Sequence, residues 1–93
     1  MGFFSSPSDK YSQELKHLPV EDFKRIFRGL KTKSLSQDEE DLAHRELEKH
    51  ITNDGKISMR NVYNTIHSLK NKKMISLNDE EDLMGAFEDY FNK

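Results

Sequence analysis

Cysteine is absent from the 93 residues. That removes disulfides, thiolate metal sites and a cysteine nucleophile, and leaves no redox indication of compartment. Long apolar runs are missing as well. None approaches the roughly 18 residues that span a bilayer, and the N-terminus lacks the basic start and apolar stretch of a signal peptide. The expectation is a cytoplasmic protein without a membrane partner. There is no glycine-rich phosphate loop, no serine in a nucleophile elbow and no histidine–carboxylate motif of the zinc-hydrolase type. His17, His44, His50 and His67 show no i,i+4 pairing and are expected at the surface or the core boundary. Excess positive charge is lacking too, with a formal net charge of −2. These absences exclude the common catalytic signatures, so no enzyme, no catalytic residue, no bound metal and no cofactor are expected.

What is present is polar but foldable. Charged residues make up 34% and hydrophobic ones 33%, yet six Phe and three Tyr supply large apolar areas at little entropic cost. A chain of this length forms one domain with a small core, burying about 60 to 65% of its unfolded surface. Residues 1–8 read as a flexible tail and residues 9–93 as a single helical domain. Within the tail, Gly2 followed by Ser6 formally fits an N-myristoylation signal, although a single acyl chain anchors only weakly.

Periodicity predicts about five short helices. Tyr11, Leu15 and Leu18 fall at helical spacing in the first, which Pro19 must stop, and the same proline suits the first turn of a second. In that second helix Val20, Phe23, Ile26, Phe27 and Leu30 make a wide apolar stripe opposite Lys24, Arg25, Arg28 and Lys31. Gly29, in a left-handed closing conformation, and the basic residues Lys31 and Lys33 are expected to end it. Ser36 with Glu39 forms a capping box for a third helix, whose apolar face, Leu42, Ala43, Leu47 and Ile51, is thin. Asn53, Asp54 and Gly55 make a turn. Ser58 caps a fourth helix carrying Met59, Val62, Tyr63, Ile66 and Leu69. After a short extended segment over 74–77, Asn78 with Glu81 restarts a fifth helix, with Leu83, Met84, Phe87, Tyr90 and Phe91 on its apolar side. Gly85 inside it costs about 1 kcal/mol relative to alanine, so close packing or fraying is expected there. No segment alternates long enough to read as a strand.

The acidic phrase 38–42 recurs as 79–83, each time after a helix ending in Leu-Lys-x-Lys. Duplication of a helical unit and independent use of one good capping solution both account for it. The acidic runs themselves suit solvated helix starts, and the basic run 70–73 suits a helix end.

The segment 40–69 resembles one hand of the EF-hand family, a helix followed by Asp54, Gly55, Lys56, Ile57 and Ser58 and then a second helix. The phrase 77–83 is similar to the linker and entering helix of a next hand. In the family the glycine permits the sharp bend and the isoleucine pairs loops between hands, roles to which Gly55 and Ile57 correspond. With Gly55 at the sixth loop position, His50 stands first, Thr52 third, Asp54 fifth and Asn61 twelfth. Only one of these four side chains is an acid and the bidentate glutamate is missing, and Leu47 is one step out of the family's apolar register. The resemblance therefore implies a degenerate loop, marked by Asp54, Gly55 and Ile57, that holds no calcium. It also implies helix pairs kept as a grip for a partner's amphipathic helix.

The helix over 58–73 is also similar to the recognition helix of winged helix-turn-helix regulators. Under that resemblance Arg60, Asn61, Asn64 and Lys70 would read bases, and Lys72 and Lys73 would contact phosphate. Lys73 stands where those regulators usually carry glycine, and an acidic helix follows where a hairpin wing should.

The fold expected is thus all-α, a compact bundle of about five short helices that the repeat would divide into two related helix-hairpin units. The function expected is a non-enzymatic interaction or regulatory module that binds a partner protein on a helix-lined surface, with Tyr63, Met74, Met84 and Phe87 as contact candidates. The alternative is a DNA-binding regulator using the 58–73 helix.

Overall fold

A computed structural model describes residues 11–30 and 35–92. The tail over 1–8, with its Gly2 signal, and the basic residues Lys31 and Lys33 lie outside this range. In chain order the elements are β1 (Leu15–His17), α1 (Val20–Arg28), α2 (Gln37–Glu48), β2 (Lys56–Ser58), α3 (Met59–Asn71) and α4 (Leu77–Phe91). Among the described residues there are four helices and one two-stranded antiparallel sheet, so the fold is mainly but not entirely helical.

The expected first helix is where the difference arises. β1 pairs with β2 in the register Leu15 to Ser58, Lys16 to Ile57 and His17 to Lys56, and the Leu18 N–H donates to the Gly55 carbonyl at 2.7 Å. A helical turn would put Tyr11, Leu15 and Leu18 on one face. Instead Leu18 is buried and Leu15 is 49% exposed. A stretch this short before a proline is too brief to sustain a helix alone, while the β2 backbone beside the Gly55 turn needs partners that only another extended strand supplies.

Elsewhere local chemistry places the elements. Ser36 and Glu39 form a reciprocal capping box on α2 (Glu39 N–H to Ser36 Oγ 3.2 Å, Ser36 N–H to Glu39 Oε1 2.8 Å), and Ser58 Oγ accepts the Asn61 N–H at the start of α3. Gly55, at φ 75°, closes the intervening turn, with the Gly55 N–H on the Thr52 carbonyl and the Thr52 N–H on that of Lys56. α1 begins one residue after Pro19, whose carbonyl accepts the Phe23 N–H. Its closing residue Gly29 has φ −88°, so the left-handed ending expected there is not used.

α4 starts two residues earlier than Asn78 would place it. Ser76 is the cap, and its hydroxyl and N–H exchange hydrogen bonds with Asp79, both at 3.0 Å. The two capping serines are 76 − 36 = 40 residues apart, whereas the repeated acidic phrases are 79 − 38 = 41 apart. The same five letters therefore enter their helices one position out of phase and present different faces. Asp79 and Glu80 are buried, while Asp38 and Asp41 are exposed.

α3 is central, lying against α2 on one side and α4 on the other, with Val62 and Ile66 fully buried. α1 packs on α4 through Phe23, Phe27 and Phe87, whose ring centroids lie 5.6 to 6.3 Å apart, within the favourable range for tilted and edge-on rings. His44 stacks on Phe23 at 4.2 Å. α3 closes in a Schellman arrangement in which the Met74 N–H reaches the Leu69 carbonyl and the Lys73 N–H that of Lys70. Lys73 occupies its left-handed position, with φ 63°.

Candidate functional site

The expected contact residues divide between surface and interior. Met84 and Phe87 are core, 5% and 0% exposed, because the apolar side of α4 turns wholly onto α1 and α3; neither is offered to a partner. Met74 is exposed on the α3–α4 connection. Tyr63 is half-buried between Tyr11 and His67, stacked on each at about 5 Å. His67 Nδ1 meets the buried Glu80 carboxylate at 2.7 Å. Tyr63 is thus one rung of a ladder that seals α3 against α4. Burial, and then the nearby Glu80, push its hydroxyl pKa up.

The expected base readers are also partly engaged. The Arg60 guanidinium donates through Nε to the Tyr11 carbonyl at 3.1 Å, and Asn61 and Lys70 are half-buried. Asn64, Lys72 and Lys73 remain at the surface. Asp54 is exposed in the turn, Ile57 is buried within β2, and Thr52 Oγ1 is taken by the Lys56 N–H. Among the described residues no group of three or more His, Asp or Glu side chains converges as a metal site would require, and no helix is long and apolar enough to cross a membrane.

A groove lies between α1 and α4. Their aromatic contacts hold the two helices together. Two adjoining cavities of about 170 and 220 Å³ share Gly29, Ala86 and Asp89 and so form one groove. Its apolar wall is Ile26 and Leu30 from α1. Its floor is Gly85 and Ala86, and a Cβ built on Gly85 meets nothing within 4 Å. The described residues therefore offer no packing reason for a glycine in mid-helix, and α4 continues through it without fraying.

The rim is acidic. Glu81, Asp82 and Asp89 come from α4 and Asp22 from α1, against one cation, Arg25, among the described residues. Asp22 is satisfied within the chain. It lies 3.4 Å from Arg25 and accepts the Tyr90 hydroxyl at 2.6 Å, which latches one end of the groove. Burial first, then the bond to Asp22 and its charge, push the Tyr90 hydroxyl pKa up to about 12, while Arg25 pulls it down. Asp82 is not satisfied. Among the described residues its buried Oδ2 has no hydrogen-bond partner, a state that costs about 1 to 3 kcal/mol.

Sequence reasoning had no means of assembling this groove, since it needs the crossing of two helices far apart in the chain. One signal was legible. α4 carries no basic residue in its last turn, yet Asp89 sits near that end, where the helix dipole disfavours an anion. Comparison with protein-family models, with curated protein sequences and with solved structures gives no match to this chain.

Proposed function

We propose that this protein is a non-enzymatic interaction module that seats a segment of a partner protein in the groove between α1 and α4. The observation that carries this reading is Gly85. A glycine in the interior of a helix weakens it by about 1 kcal/mol, and here a Cβ would meet nothing within 4 Å among the described residues at a site that lines a groove. A bare backbone at the floor of a groove lets another chain approach closely, a use that offsets the cost.

Filling the groove tests the reading. Capture from the native source with the intact chain should yield a partner that is lost with Gly85→Leu and retained with Asn71→Ala, a change on the exposed end of α3. Equal capture by the groove-filled variant, with its helical spectrum unchanged, would move the interaction face elsewhere. Binding of duplex DNA that weakens steeply with salt and depends on Asn64, Lys72 and Lys73 would replace the groove reading with the DNA-binding one.

A further inference from the structure

We infer that the occupant of the α1/α4 groove is a cationic amphipathic helix, with Lys or Arg seven residues apart and a small or medium apolar side chain midway between them. The inference rests on the groove being the binding face and specifies what fits there.

The spacing follows from α4. Asp82 and Asp89 are seven residues apart, two turns of one helix or about 10.5 Å along the axis. Gly85 and Ala86 lie between them on the same side. A helix laid along the trough meets acid, bare backbone, then acid again, and its complement reads cation, apolar, cation at the same interval. The apolar middle faces the half-buried Leu30 and Ala86, which give it something to bury against.

Charge decides the sign of the ligand. α4 holds Asp79, Glu80, Glu81, Asp82, Glu88 and Asp89 and no Lys or Arg. Three of these acids are engaged within the chain. Asp79 is in the capping box, Glu80 meets His67, and Glu88 accepts the Tyr11 hydroxyl at 3.5 Å. Glu81, Asp82 and Asp89 remain, all lining the groove, and Asp82 and Asp89 have the two-turn spacing. Neither has an ion-pair partner among the described residues. Asp82 Oδ2 is withdrawn from water with nothing among the described residues donating to it, and Asp89 stands at the negative end of the dipole. A Lys or Arg delivered by a partner would satisfy the first and neutralise the second. An anionic or neutral helix would leave Asp82 desolvated and unpaired, which disfavours it.

The test uses the full ¹⁵N-labelled chain and three synthetic alanine-rich helices of about 16 residues, long enough to hold a helix. All three share a central leucine; one carries lysines seven apart, one glutamates and one glutamines at those positions. The lysine helix is expected to shift the amides of Gly29, Gly85, Ala86 and Asp89, and the glutamate helix to leave them in place. Asp82→Asn is expected to weaken the lysine helix about five- to tenfold and Asp89→Asn about two- to fivefold. Gly85→Leu should abolish the shifts while the rest of the spectrum stays folded.

If the glutamine or glutamate helix shifts the groove amides as strongly as the lysine one, the cationic occupant is overturned and the groove remains the binding face. If no helix moves the groove amides, or the lysine helix moves only those around the exposed acids Asp38 and Asp41 at the start of α2, both the occupant and the groove reading fall.

Discussion

Replacing Gly85 by alanine should make this protein more stable, by an amount the structure allows to be worked out. Gly85 lies inside α4 with ordinary helical backbone; Gly55 is the one glycine at positive φ among the described residues, so an L side chain is not strained at Gly85. The new Cβ has no heavy atom within 4 Å outside its own surroundings in the helix, so neither a clash nor appreciable burial enters. What remains is helix propensity, about 0.8 to 1.0 kcal/mol in favour of alanine, much of it through reduced freedom of the unfolded chain. A gain of about 1 kcal/mol changes the ratio of folded to unfolded molecules roughly fivefold and raises Tm by about 4 to 8 °C in a domain of this size. Urea and thermal denaturation followed by circular dichroism read both. An unchanged or lowered midpoint would refute the reasoning, because it would mean that the space above Gly85 is filled or that its backbone is not helical. The same experiment bears on function. A glycine whose replacement stabilises the fold is held for something other than stability, and the lysine helix should bind Gly85→Ala less tightly than the unaltered chain even as its Tm rises.

Ser76→Ala should cost about 1 kcal/mol and Asn78→Ala much less, as measured by urea denaturation, since Ser76 is the cap of α4; equal losses would restore Asn78 as the cap. Lys73→Gly should raise stability by about 1 kcal/mol by relieving the left-handed backbone at φ 63°, and a loss would show that the lysine side chain contributes more than the strain costs. Ile66→Ala should cost about 2 to 5 kcal/mol, being fully buried at the centre of α3, and a loss below 1 kcal/mol would contradict that placement. The last prediction concerns alkaline pH. Tyr90 keeps its proton up to about pH 12 when folded but releases it near pH 10 when unfolded. Stability associated with the Tyr90–Asp22 latch is therefore fully present below pH 10 and is lost as pH rises from 10 towards 12. Tyr90→Phe should flatten that part of the stability profile, and an unaltered slope would place the titration on another group.

Much of the helical architecture is legible in short stretches of the chain. The capping of α2 by Ser36 and Glu39, the cap of α3 at Ser58 and the turn at Gly55 each depend on residues within four positions of one another, and each forms as that chemistry dictates. The stripes through Phe23, Ile26 and Phe27 and through Val62, Ile66 and Leu69 are buried as their spacing requires. Choices between two equally good local solutions were not legible. Ser76 and Asn78 both offered an N-cap with an acid three residues on, and the fold uses Ser76. The two copies of the acidic phrase are also buried differently, Asp79 in the interior and Asp38 at the surface, which their identical letters do not reveal.

Local chemistry along the chain thus determines where helices start and turn and which sides are apolar, because caps, dipoles and helical periodicity act within one or two turns. Tertiary structure alone decided three matters. The stretch around Leu15 is a strand because β2, some forty residues on, needs a partner for its backbone. Met84 and Phe87 are core instead of contact surface because two other helices close over them. The acids of α4 line a trough beside Gly85 because α1 packs against α4 there, a relation between residues about sixty positions apart that no window of sequence contains.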